Sequence, residues 1–248
     1  MRILKQRNGQ FIMIAVLMIA IMMVSIAAIM YSAGTYYRHE KWEEYLTIVD
    51  NLKIGSSHLF EISLADFTRT FDEDILVTNL NKWQTNLMAA YPGLGIALTY
   101  SNATIGNGSR SVTSLTSNTI HFSDASAKLN IDIASVGLEG YAFVSSAFLG
   151  VILNATYVNG NDLLLYVAVE KENSEPVTGL KKADFFVNGT SLPNHPSSQL
   201  THFYQTEGNV LRIIYQLTIP DLTPQLSSVS VAVVDNRDIK VTANSDVT

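Results

Sequence analysis

Between Arg7 and Arg38 the chain carries no charged residue, and the run from Phe11 to Gly34 is almost wholly apolar. Neither a solvated loop nor a surface strand tolerates such a run, so it has to be covered by lipid or by other apolar helices. As a helix its 24 residues would span about 36 Å at ~1.5 Å per residue, enough for a tilted bilayer crossing. Its serines, Ser25 and Ser32, can return their hydroxyls to the helix's own carbonyls. Arg2, Lys5 and Arg7 precede the run, whereas Arg38 and Lys41 beyond it are offset by Glu40, Glu43 and Glu44. The positive-inside bias then places the N-terminus in the cytoplasm and the bulk of the chain outside, with membrane lipid as partner. Tyr31, Tyr36, Tyr37 and Trp42 fit an aromatic belt at the outer boundary. A cleaved secretory signal is the rival, with small residues at Ser32-Ala33-Gly34, but its apolar core usually runs only about 7–15 residues.

Charge and cysteine usage narrow the classes further. The net charge is −6, from 16 Lys+Arg and 22 Asp+Glu. Without the three N-terminal cations the remainder holds 13 positive and 22 negative residues, or −9, so no nucleic-acid partner is expected. The chain has no cysteine, which excludes disulfides, thiolate metal sites and a cysteine nucleophile.

Past the apolar run, Tyr45, Ile48, Leu52, Leu59 and Ile62 recur at helical spacing and predict an amphipathic extension to about Ala65. Gly55-Ser56-Ser57 is a place where it would kink. A second helix is predicted after Asp72-Glu73-Asp74, with the stripe Leu76, Leu80, Trp83, Leu87 and Tyr91, stopped by Pro92-Gly93. From Leu94 the period changes to two: Leu94, Ile96, Leu98 and Tyr100 alternate, as do Leu129, Ile131 and Ile133. The polar stretch from Ser101 to Asn118 reads as a loop or hairpin tip. Short alternating strands with turn signals over the last hundred residues predict a β-sandwich, with Leu163/Leu165/Val167/Val169 and Leu211/Ile213/Tyr215/Leu217 as opposing faces.

Two resemblances add to this reading. The basic stretch Arg2 to Arg7, then Gly9, Gln10 and an unbroken apolar helix, resembles archaeal class III prepilins, the precursors of type IV pilin-like surface proteins. The resemblance implies cleavage between Gly9 and Gln10 by a prepilin-type leader peptidase, and self-assembly through the N-terminal helix. Asn8 stands where that family usually has a basic residue, and Ile14 where many members carry glutamate. The segment Glu175-Pro176-Val177-Thr178-Gly179-Leu180, followed by Ala183-Asp184-Phe185-Phe186-Val187-Asn188-Gly189, resembles Ig-like modules of invasin type. That resemblance implies a C-terminal Ig-like sandwich. The expected fold is therefore α+β: a leader over 1–9, a long transmembrane helix with its extension over 10–65, a helix packed on an antiparallel β region over 66–153, and an Ig-like sandwich over 154–248.

Candidate site residues are few. Asn102, Asn107, Asn154 and Asn188 each begin an Asn-x-Ser/Thr acceptor for N-glycosylation. His39, His58, His121, His195 and His202 form no ligand spacing, so no metal or other cofactor is expected. Asp235-Asn236-Arg237-Asp238 reads as a turn rather than a calcium loop, and Asp72-Glu73-Asp74 as a charged helix start. There is no GxSxG, Walker loop or GxGxxG after a strand, and no catalytic residue is assigned. The sequence thus points to an exported, membrane-anchored structural protein, a pilin-like subunit of a surface filament, and not to an enzyme. A monomeric surface protein presenting an Ig-like adhesion module is the alternative, and an anchored envelope hydrolase or solute-binding component the third.

Overall fold

A computed structural model describes residues 3–112, 119–195, 197–207, 210–222 and 225–248, with side chains described at 16–32 and from 45 onward within those ranges, Glu207 excepted. The chain divides into two units, Met1–Leu52 and Lys53–Thr248. Helix α1, Ile3–Thr70, accounts for the described backbone of the first unit.

The expected transmembrane helix is corrected: among the described residues no helix is long and apolar enough to cross a membrane. The helix also continues past Ala65 to Thr70 and runs unbroken through Gly55-Ser56-Ser57.

In the second unit the buried side of α1 is displaced from the predicted stripe. Leu59 is half-buried and Ile62 exposed, while Ser56, Phe60, Ser63, Leu64 and Phe67 are buried. Two serines belong to that face because each hydroxyl is satisfied twice. Ser56 Oγ lies 2.7 Å from the Lys53 carbonyl and 3.0 Å from Ser145 Oγ. Ser63 Oγ donates to the Leu59 carbonyl at 2.7 Å and accepts from Asn79 Nδ2 at 3.0 Å. Asn79 belongs to α2, Ile75–Ala90, whose buried stripe is Leu76, Leu80 and Leu87.

Ten strands follow: β1 (Ile96–Ser111), β2 (Thr119–Ile133), β3 (Leu138–Val158), β4 (Asp162–Lys171), β5 (Phe185–Val187), β6 (Thr190–Ser191), β7 (Gln199–Glu207), β8 (Val210–Ile219), β9 (Ser228–Val234) and β10 (Lys240–Asp246). One antiparallel sheet has the order β1-β2-β3-β4-β8-β7, and the other β10-β9-β5-β6. The sheets meet where β10 lies along β2 and β3 and where the Phe185 and Tyr215 rings sit 5.5 Å apart. Thr68 at the end of α1 caps the arrangement, accepting the Lys240 N–H at 3.2 Å.

This topology replaces the predicted helix-plus-β region and separate C-terminal Ig-like sandwich. β3 carries the chain straight through Asn154, pairing with β2 as far as Ile152 and with β4 as far as Val158. The two sets expected to face each other are neighbours in one sheet instead: Leu163 pairs with Ile219, Leu165 with Leu217 and Val167 with Tyr215. Period-two alternation says which face a side chain takes, and is silent on which strand lies beside it. The predicted loop from Ser101 is strand as far as Ser111, with a register shift between Ser101 and Thr104. β1 is an edge strand, and its solvated side keeps polar residues that read as loop. Residues 113–118 of that expected tip lie outside the described ones.

Candidate functional site

A cleft of 650 Å³ opens in the second unit. Its walls come from the end of α1, the far end of the β1–β2 ladder and the start of β10. Arg69, His121 and Lys240 bring nitrogen donors and Phe71 a ring, while the Phe122 ring lies on the other face of the sheet, stacked 5.7 Å from Phe148. Arg69 is already paired with Asp238 at 3.0 Å. Gly108 makes room on that other face, where a Cβ would meet the Phe122 ring at 2.7 Å. Asn107 and Ser109 complete the cleft from β1, and the Ser123 hydroxyl donates to Asn107 Oδ1.

Of the four glycosylation acceptors, Asn107 is the one that lines this cleft. Asn102 is exposed at the β1 register shift, with φ 53°. Asn154 is half-buried on β3, opposite Tyr166. Asn188 is exposed at the two-residue turn between β5 and β6, where φ is 48° and Gly189 follows at 80°. Positive φ at both central residues is the mark of a type I′ hairpin. Its Oδ1 accepts the Ser230 N–H at 2.9 Å. Gly9 and Gln10 lie within α1, and their side chains fall outside the described ones.

A second cavity, of 310 Å³, surrounds an ionic cluster built on Arg237. Its Nε donates to Asp235 Oδ2 at 2.7 Å, Nη1 to Glu172 Oε1 at 2.8 Å and Nη2 to the Phe148 carbonyl at 3.0 Å. Glu61 of α1 stands 3.5 Å from the same Nη1. Burial alone would lower the Arg237 pKa, but Asp235 and Glu172 outweigh it and hold the guanidinium above its ordinary value. The 235–238 turn thus has its carboxylate engaged: Asp235 Oδ1 accepts the N–H groups of Arg237 and Ile239 at 3.0 and 3.1 Å. At the other turn considered, Asp72 Oδ1 accepts the Asp74 N–H at 3.0 Å.

Tyr215, marked by its alternation as a core position, also carries a polar role that the alternation does not announce. Its hydroxyl donates to the Val177 carbonyl at 2.9 Å and accepts the Leu180 N–H at 3.4 Å, tying down the Pro176–Leu180 segment. Burial pushes the phenol's pKa above its ordinary value. Among the histidines, His58 Nδ1 faces Glu61 Oε2 at 3.2 Å, His202 packs beside Tyr204 and Tyr215, and His121 lines the cleft. Among the described residues no three His, Cys, Asp or Glu side chains gather as metal ligands. No protein-family model, curated protein or solved structure matches this chain.

Proposed function

We propose that this is an exported, pilin-like structural subunit whose N-terminal helix packs among the helices of further copies in a cell-surface filament. The observation that supports it is the first unit's surface. From Val16 to Tyr31 the large apolar side chains of α1 are exposed in every direction, from 56% at Ile21 to 77% at Tyr31. An apolar stripe is satisfied by one partner; a helix apolar all round needs neighbours all round. Each large side chain covered contributes roughly 1.5–3 kcal/mol, so a bundle of like helices has ample driving force to offset the cost of association. Ser25, Ala28 and Ser32 form a line of small residues on which another helix can approach closely. The prepilin-like stretch agrees in chemistry. Cutting after Gly9 removes Arg2, Lys5 and Arg7, charges that are costly to bring into an apolar bundle.

The test is the sheared extracellular fraction of cells that make the protein, imaged by electron microscopy, with the intact mass of the subunit. Filaments containing a chain that begins at Gln10 are expected. Ile19→Lys should reduce filament yield roughly 100-fold, since a buried ammonium among apolar helices is uncompensated, while the thermal unfolding of the second unit stays unchanged. A chain that keeps Met1 and remains a monomer, in detergent or in vesicles, overturns the reading.

A further inference from the structure

We propose that Asn107 carries an N-linked glycan and that the 650 Å³ cleft seats that glycan's first sugars. This rests on the exported location argued above. Asn107 and Ser109, the first and third residues of the acceptor Asn107-Gly108-Ser109, both line the cleft, as residues two apart on a strand share a face. The Ser123 hydroxyl holds Asn107 Oδ1, which orients the carboxamide and leaves Nδ2, the atom that bears sugar, outside that bond.

An aromatic side chain, Phe71, lines the same cleft. Phe71 is 69% exposed, and its backbone has φ 56°. A bulky L-residue is sterically disfavoured in the left-handed region, and glycine or asparagine is the usual choice at such a helix end. Phe71 closes α1 by donating its N–H to the Phe67 carbonyl at 2.7 Å. Its ring sits edge-on to Phe67, with centroids 6.2 Å apart. Strain held at an exposed aromatic is a pointer to binding. A pyranose has apolar C–H faces and a rim of hydroxyls. The cleft offers the complement: the ring of Phe71, and donors at Arg69, His121 and Lys240. Its volume suits a small ligand, about 300–1,000 Å³.

The modification is a glycosyl transfer from an oligosaccharide carried on a lipid phosphate or diphosphate. Asn107 Nδ2 forms a bond to the anomeric carbon as the bond from that carbon to the phosphate oxygen breaks. The electron pair leaves with the phosphate, and the Nδ2 proton passes to a base of the transferase. No atom changes oxidation state.

The full chain from cells that make it is mapped by glycopeptide mass spectrometry, separately for the surface and internal fractions. A saccharide on the Asn107 peptide of the surface fraction is expected, absent in Ser109→Ala. Phe71→Ala should then lower the thermal midpoint by about 3 °C in the glycosylated chain and by less than about 1 °C in the Asn107→Gln background, the non-additivity expected of a contact. Surface protein with bare Asn107 overturns this inference and leaves the location standing. Glycan on Asn107 with equal Phe71→Ala shifts in both backgrounds overturns the cleft's role. A chain confined to the internal fraction with bare Asn107 overturns both.

Discussion

Residues 16–32 and 53–70 belong to one helix, α1, yet they solve opposite problems. The first stretch is richer in large apolar side chains, and every one of those described is exposed. The second carries Lys53, His58, Glu61, Asp66 and Arg69, and still buries Phe60 and Leu64 completely. Hydrophobicity alone therefore does not decide burial; the presence of a complementary surface in the same chain does. The second stretch has such a surface in α2, β3 and β10, close enough for serine–serine and serine–asparagine hydrogen bonds. The first stretch keeps its large apolar side chains exposed, and in the filament proposal further copies of the chain supply the surface that covers them.

The sharpest way to break this contrast is the ionic cluster that ties Glu61 of the second stretch to the β layers. Arg237→Ala leaves Asp235, whose side chain is 1% exposed, as a buried carboxylate without its cation. A loss of about 3–5 kcal/mol in unfolding free energy is expected, read by urea denaturation of the full chain. Filament yield, where the protein still folds, should not change. Next in size is a matched pair of truncations. Leu64→Ala removes a fully buried side chain and should cost about 2–5 kcal/mol in the same measurement. Leu17→Ala, at a residue 62% exposed, should leave unfolding within about 0.5 kcal/mol of the parent and lower filament yield instead. Equal costs at the two positions would show that the two stretches are buried alike.

How much of this was legible follows the same division between face and partner. The α2 stripe could be read from spacing because one helix face packs on one surface: Leu76, Leu80 and Leu87 are its buried residues, and the Tyr91 N–H closes it on the Leu87 carbonyl at 3.1 Å just before Pro92. The α1 face is less legible: Leu52 of the spacing-predicted stripe is buried and Ile62 is exposed, while Ser56 and Ser63 carry part of the face, and a buried serine is indistinguishable in sequence from a solvated one. Leu163 to Val169 and Ile213 to Ile219 announced buried faces, but only the register made them neighbours. The polar half of β1 gave no strand signal at all, since an edge strand's open side is in water. Of the cleft, the acceptor at Asn107 was visible and the rest was not. Thr68, Phe122 and Lys240 are brought together by the α1 terminus, the β1–β2 ladder and β10, segments with no common local pattern. Arg237 likewise looked like a turn cation, with nothing near it in sequence to announce Glu61, Phe148 or Glu172 as its partners.

The smallest effect tests the comparison at the level of one hydroxyl. Ser25 and Ser63 both return Oγ to the carbonyl four residues earlier, at 2.8 and 2.7 Å. Only Ser63 is also asked to accept, from Asn79 Nδ2 at 3.0 Å. Ser25→Ala exchanges an exposed, back-bonded serine for a better helix former and should leave stability unchanged or raise it by a few tenths of a kcal/mol. Ser63→Ala makes the same chemical change but leaves the Asn79 amide, part-buried between the two helices, without its acceptor, at a cost of about 1–3 kcal/mol. Ser63→Ala combined with Asn79→Leu removes both partners and should recover most of that loss, because the penalty lies in the orphaned donor rather than in the missing bond. If Ser63→Ala is as neutral as Ser25→Ala, the serines on the buried face are passengers, and the face of α1 is set by Phe60 and Leu64 alone.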